Sequence, residues 1–231
     1  MSLMGNLLGN KALASHGKGE YEKAIAQYDE GYKKGMDKLR MLKSYSTLLI
    51  RYGRFDDALE VLKKMERMPG ITPKDKATMH MNYAIILWKK GHIDRALEIL
   101  EDEFRRVKTG TMYSIIGFLK IEKGDAEDAL AFNKAALEYD DEDPVLLDNL
   151  AQTYYRLLGD KQTAKEYFDK AIAIKEDAID TNYFLALYDA DAGDVESAKR
   201  RLRLAREKFS SPLNYASAER IDALLAELEG K

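Results

Sequence analysis

RYGRFDDAL, residues 51–59, sets a glycine five positions ahead of an alanine, with an aromatic side chain between them. KKGHIDRAL (89–97) and EKGDAEDAL (122–130) keep the same glycine-to-alanine spacing farther down the chain. The full series is Gly19/Ala24, Gly53/Ala58, Gly91/Ala96, Gly124/Ala129, Gly159/Ala164 and Gly193/Ala198, with successive glycines 34, 38, 33, 35 and 34 residues apart. The longest interval contains PGITPKDK (69–76), read as a loop with two prolines. A period near 34 marks a repeat architecture.

A second small residue stands seven positions before each glycine: Ala12, Ser46, Ala84, Gly117 and Ala186, with Ala151 displaced to eight by a Leu157-Leu158 insertion. Apolar residues flank each glycine at helical spacing, as in Tyr83, Ile86 and Leu87 before Gly91 and Ile93, Leu97 and Leu100 after it. Each repeat therefore reads as helix, turn, helix. Small side chains on facing surfaces let two antiparallel helices approach, and larger neighbours fill the grooves beside them. The glycine ends the first helix, where a left-handed residue is needed and a β-carbon is penalised. Acidic residues just after it, such as Asp56-Asp57 and Asp125, favour the positive end of the next helix.

These positions resemble the tetratricopeptide repeat, a helix-turn-helix unit of 34 residues. The resemblance covers nearly the whole chain, in repeats 5–38, 39–72, 77–109, 110–143, 144–178 and 179–212. Asn133, Lys161 and Asp189 depart from the family pattern, standing where apolar or aromatic residues are usual. The resemblance implies an all-α, right-handed α-α superhelix, a solenoid of six repeats. Such a stack needs a cover with a polar outer side. Ser211-Pro212 is read as the start of that cap, with residues 213–229 a solvating helix inside the C-terminal segment 213–231 and Ile221, Leu224, Leu225 and Leu228 as its apolar stripe. Residues 1–4 read as a vector remnant or flexible start.

In this family the first helix of each repeat lines a concave groove that receives a peptide or helix of another protein. Transferred by register, the groove residues are Arg40, Lys43, Thr47 and Arg51 in the second repeat, Met81, Ile85 and Trp88 in the third, and Phe118, Ile121 and Glu122 in the fourth. The fifth supplies Asp148, Gln152, Tyr155 and Arg156, and the sixth Asp180, Tyr183 and Leu187. The partner implied is a protein or peptide with a hydrophobic anchor and flanking charges. Lys43 and Asn82 match part of the carboxylate-holding set of cochaperone members, but Thr47, Thr111 and Ile115 break that set, so a chaperone-tail receptor is not expected.

Composition excludes several other classes. The chain has 231 residues, 45% hydrophobic and 33% charged, the balance of a folded, helix-leaning protein. It has no cysteine, hence no thiolate metal site, cysteine nucleophile or lipid-modified cysteine, and no run approaches a membrane span. Residues 1–110 hold 21 Lys+Arg against 15 Asp+Glu, whereas 111–231 hold 16 against 25. Basic and acidic residues interleave and the sequence pI is about 5.8, so nucleic acid is not expected as a partner. KRRLRLAR (199–206) is the one dense basic cluster and reads as an exposed helix face.

No nucleophile-base pair, metal cluster or phosphate loop is visible, and no enzyme activity, cofactor or metal is expected. His16, His80 and His92 are scattered, and Asp140-Asp141-Glu142-Asp143 before Pro144 reads as a solvated turn that caps the next helix. The expectation is a noncatalytic binding scaffold, cytoplasmic, monomeric or a weak homodimer through its amphipathic ends. The alternative is a pilotin-like or assembly-factor role in a bacterial envelope or secretion complex, against which the absence of a lipidation cysteine counts.

Overall fold

The structure, a computed structural model, describes residues 2–208 and 211–230. Two compact units divide the chain, Met1–His92 and Ile93–Lys231. Among the described residues every regular element is helical. The N-terminal unit holds α1 (Leu3–Gly17), α2 (Tyr21–Lys33), α3 (Leu39–Arg51), α4 (Phe55–Glu66) and α5 (Pro73–Lys89). The C-terminal unit holds α6 (Ile93–Arg106), α7 (Gly110–Lys123), α8 (Ala126–Tyr139), α9 (Pro144–Gln152) with a π-helical continuation over Thr153–Leu158, α10 (Lys161–Ile174), α11 (Ile179–Asp191), α12 (Val195–Glu207) and α13 (Ala218–Glu229).

The repeat glycines do what the spacing requires. All six have φ between 69 and 88°. At Gly53 the turn is closed by Arg54 N–H donating to the Leu49 carbonyl at 2.8 Å, the six-to-one bond of a left-handed helix end. In the C-terminal unit the residue after the glycine is an aspartate that accepts a backbone N–H of the next helix: Asp125 from Asp128, Asp160 from Thr163 and Asp194 from Ser197. One Gly-Asp pair thus ends one helix and starts the next. Both small positions of each hairpin are sealed: Ala12, Ala24, Ser46, Ala58, Ala84, Ala96, Ala129, Ala151, Ala164, Ala186 and Ala198 are fully buried.

The N-terminal unit is centred on Tyr28, Met36, Leu42, Leu48, Leu49, Met65 and Ile86, each fully buried. Every such side chain contributes about 1.5–3 kcal/mol of burial. Glycines set the approach of α1 to α2, since a Cβ on Gly5 would stand 2.5 Å from the Met36 nitrogen and 2.7 Å from the Lys34 carbonyl. In the C-terminal unit Phe168 and Phe184 stack at 5.0 Å, and a separate cluster of Ala186, Ala198, Leu202, Ala205, Ala216, Ile221 and Leu228 closes the end.

Four expectations change. Of the expected start 1–4, Met1 lies outside the described residues, and residues 2–4 join α1: the Ser2 hydroxyl accepts from Gly5 N–H at 3.1 Å and Leu3 begins the helix. The loop at 69–76 ends early, because Thr72 and Asp75 cap each other reciprocally and Pro73 occupies the first turn of α5. The cap helix starts at Ala218 rather than 213, N-capped by the Ser217 hydroxyl. Residues 211–217 form a nonhelical strap, since the Ser211 hydroxyl accepts from Leu213 N–H and Ser211 N–H donates to the Asn214 side chain, which spends the capping groups inside a turn. The Leu157-Leu158 insertion is absorbed by the π-helical stretch, where Asp160 N–H reaches back six residues to the Tyr154 carbonyl at 3.0 Å.

The three departures from the family pattern each have a structural partner. Asp189 accepts from Arg201 at 2.8 Å, and Lys161 pairs with Asp191 at 3.0 Å. Asn133 is fully buried and donates to the Thr153 hydroxyl at 3.0 Å and to the Gly117 carbonyl at 3.4 Å. That amide fits because its neighbour is Gly117: a Cβ there would stand 2.1 Å from Asn133 Oδ1. The departure at Asn133 is thus accommodated by the glycine at the small position opposite it.

Candidate functional site

In the N-terminal unit α3 and α5 are successive first helices, joined by Asn82 Nδ2 donating to the Ser46 and Thr47 hydroxyls at 3.2 Å each. α3 carries Arg40, Lys43, Thr47 and Arg51, and α5 carries Met81 and Trp88. Arg40 and Thr47 are exposed, and Lys43, Arg51, Met81 and Trp88 are half-buried. Lys43 Nζ lies 2.5 Å from Asp75 Oδ1. That bond, with the Thr72 contacts, pulls the Asp75 carboxyl down to about 2, so it stays a carboxylate across the physiological range. The Arg51 guanidinium sits 4.4 Å from the Tyr21 ring centroid, and Lys89 Nζ lies 3.9 Å from that of Trp88. With Lys43 held by Asp75 and Asn82 by hydroxyls, neither matching residue of the carboxylate-holding set is uncommitted.

Three expected groove residues are core residues. Ile85 is 6% exposed, Phe118 4% and Ile121 1%. The reason is visible in α7, GTMYSIIGFLKIEK, whose apolar residues run round the helix and leave Met112, Tyr113, Ile115, Ile116, Phe118, Leu119 and Ile121 all buried. Even Lys120 is buried there, paired with Glu101 at 2.8 Å and Asp128 at 2.6 Å.

The C-terminal unit places its expected residues differently. Tyr155, Tyr183 and Leu187 are half-buried, with Tyr155 edge-on to Phe184 at 5.0 Å. Asp148, Gln152 and Asp180 are buried and form a polar network. Gln152 Nε2 donates to Asp148 at 2.7 Å and reaches Asp180 at 3.5 Å. Thr181 donates to Asp148 at 2.7 Å, while Arg156 links Gln152 at 3.0 Å to Glu122 at 2.7 Å. Burial, and then the neighbouring Asp180 charge, push the Asp148 carboxyl up to about 7. Burial raises Asp180 as well, against the pull of hydrogen bonds from Ala216, Tyr215, Asn214 and Gln152. These residues fasten successive first helices and the strap, because the next helix or strap covers the position that the register assigned to the groove.

The strap is the part of this surface that the register did not anticipate. Tyr215 and Ala216 donate their backbone N–H groups to Asp180 at 3.1 and 2.9 Å. The Tyr215 ring stacks on Phe184 at 5.2 Å and lies edge-on to Tyr183 at 6.0 Å. The guanidinium carbons of Arg156 and Arg220 lie 4.0 and 3.9 Å from its centroid. A segment outside the helical periodicity leaves no pattern from which such a contact could be read.

Residues with other candidate roles are accounted for. His16 is half-buried edge-on to Tyr21 and Tyr28, and burial, then Arg51, lowers its pKa. Asp143 accepts from Val145 and Leu146 N–H groups at the start of α9. The basic cluster 199–206 is matched by acids: Arg201 with Asp189, Arg206 with Asp222, Lys199 with Glu196 and Arg203 with Glu229. Among the described residues no group of three or more His, Asp and Glu side chains could hold a metal, and no helix is long and apolar enough to cross a membrane.

Residues 146–177, spanning α9 and α10, match the family profile described as tetratricopeptide repeat. This segment is a tetratricopeptide repeat. Three solved structures share the fold. A tetratricopeptide repeat protein from Parabacteroides merdae has a TM-score of 0.71 at 14% identity, covering 96% of this chain and 83% of that one. A chain of the APC/C hetero-tetramer Cut9–Hcn1 has a TM-score of 0.67 at 16% identity, over 94% of this chain and 41% of that one. PilW, a type IV pilus biogenesis factor, has a TM-score of 0.64 at 17% identity, over 97% of this chain and all of that one. At these identities the likeness shows the tetratricopeptide-repeat fold. No curated protein matches the sequence.

Proposed function

We propose that this tetratricopeptide-repeat protein is a noncatalytic scaffold whose N-terminal unit binds an acidic peptide segment with a hydrophobic anchor. The observation that carries the reading is the face shared by α3 and α5. Met81 and Trp88, seven residues apart on α5, are half-buried on a helix joined to α3 through Asn82 and Thr47, and α3 carries Arg40, Lys43 and Arg51. Met and Trp supply large, adaptable contact area, and residues of this kind dominate the energetics of peptide anchoring. Residues 1–92 carry 17 Lys+Arg against 10 Asp+Glu, an excess of seven positive charges that favours an acidic partner and speeds its encounter. The Lys43–Asp75 bond holds the long lysine stem across the face, which lowers the ordering cost of binding.

The test is capture of proteins from the source cell by the intact chain and by Met81→Ala/Trp88→Ala, with helical content and melting compared first. A partner held by the intact chain should be lost by the double variant, with affinity at least about tenfold weaker, and its retention should fall as salt rises. Equal retention by both proteins rejects this face. The same face would serve an assembly factor of a bacterial envelope complex, and the identity of the captured protein separates that reading from a cytoplasmic scaffold.

A further inference from the structure

We propose that the strap, residues 211–217, is a displaceable internal ligand of the C-terminal unit, and that the surface beneath it takes a tyrosine-bearing nonhelical peptide. The proposal rests on the first-helix face being the binding face of the repeats, but it concerns a different unit and different residues from the N-terminal site.

Three features separate the strap from an ordinary repeat element. It is nonhelical where every other first-helix position holds a helix, and its own polar groups satisfy one another locally through Ser211 and Asn214. Its polar fastenings converge on one residue: Asp180 takes its two consecutive N–H groups and a hydrogen bond from Asn214, while Arg220 donates to the Tyr215 carbonyl at 2.9 Å, the Tyr215 ring rests on Phe184 between two guanidinium groups, and Ala216 is buried in the end cluster. The residues receiving it belong to first helices, Asp180, Tyr183 and Phe184 on α11 and Arg156 at the end of the α9 segment.

The chemistry that this surface accepts is therefore written in the strap itself. An aromatic ring satisfies stacking and cation–π contacts together. Two successive backbone N–H groups satisfy the buried carboxylate, which a helix interior cannot offer because its N–H groups are already spent. A small residue must follow the tyrosine, since Ala216 is fully buried against the Ala186–Leu202 cluster. A competing peptide needs these three properties, and intramolecular linkage gives the strap the advantage of high effective concentration.

The probe is a synthetic peptide of the strap sequence, SPLNYAS, blocked at both ends and carrying a fluorophore, titrated against the full chain. The wild-type protein should take up the peptide at least about tenfold more weakly than the strap variants, because its own strap competes for the surface. Full-length Tyr215→Ala should bind the peptide, and bind a version with tyrosine replaced by alanine at least about tenfold more weakly. Arg220→Ala, which loosens the clamp while leaving Phe184 covered, should bind with intermediate affinity. Absence of uptake by a folded Tyr215→Ala chain overturns the proposal, as does equal binding of the two peptides. Unfolding of both variants overturns it too, because a displaceable strap must leave the repeats standing. None of these outcomes depends on Met81 or Trp88, so the N-terminal face stands or falls separately.

Discussion

Raising the pH from about 5.5 to about 8 lowers the melting temperature of the C-terminal unit, and Asp148→Asn removes most of that loss. Asp148 and Asp180 are both buried and share the Gln152 amide, so ionising both sets two negative charges in one dry network. Arg156 is the cation facing them, and Glu122 already engages it. The folded state holds the Asp148 proton up to about pH 7, whereas an unfolded chain releases it near 3.8, the ordinary aspartate value. Between those values the folded state binds more protons, so stability decreases as pH rises through the window and levels off above it.

A separation of that size corresponds to about 4 kcal/mol at most, and a substituted amide gives back about 1 kcal/mol in rearranged hydrogen bonds. About half of that separation lies above pH 5.5, so the stabilisation by Asp148→Asn should be about 2 kcal/mol greater at pH 8 than at pH 5.5. His16 contributes the opposite slope in the N-terminal unit, where burial lowers its pKa and makes the folded state release its proton early. The difference between wild type and Asp148→Asn, followed by circular dichroism against pH, cancels the His16 contribution. A wild-type melting temperature that is level or rises with pH between 5.5 and 8 in that difference would show that the network carries both charges without cost.

Gly117→Ala is the second large effect, a loss of about 1–3 kcal/mol measured by urea unfolding. The added carbon would stand 2.1 Å from Asn133 Oδ1 and 3.1 Å from Asn149 Nδ2. Neither amide can retreat freely, because Asn133 bonds Thr153 and Asn149 donates to the Ser114 carbonyl at 2.9 Å. Most repeats place alanine at the Gly117 position and tolerate it well, so the cost comes from this pairing. Asn133→Ala alone leaves a cavity and strips Thr153 of a donor, which also destabilises. The double variant should lose less than the two singles together, with a coupling of at least about 0.5 kcal/mol. Additive losses would show that the two residues do not compensate each other.

The helical hairpin was legible before any coordinate because its signal is local and repeated. A left-handed turn admits glycine at Gly19, Gly53, Gly91, Gly124, Gly159 and Gly193, and close helices admit small residues such as Ala12 and Ala24. Those requirements act within one hairpin, so the sequence by itself determined the repeat, its register and the places where the register slips. Exposure is a different matter, since it depends on how many neighbours surround a helix. The register that places Met81 and Trp88 on a half-buried face also assigned Ile85, Phe118 and Ile121 to a groove, yet these three are core.

The tertiary structure alone decided the roles of Asp148, Asp180 and Tyr215. A carboxylate in a helix reads as a solvated charge until a neighbouring helix or a strap from 35 residues away buries it. Capping groups show the same division. Thr72-Pro73-Lys74-Asp75 is a helix start written locally, whereas Ser211-Pro212 looks similar and forms a turn because Leu213 and Asn214 take the serine's bonds. Local steric rules fix where this chain bends, and long-range packing determines which of its polar groups remain in water.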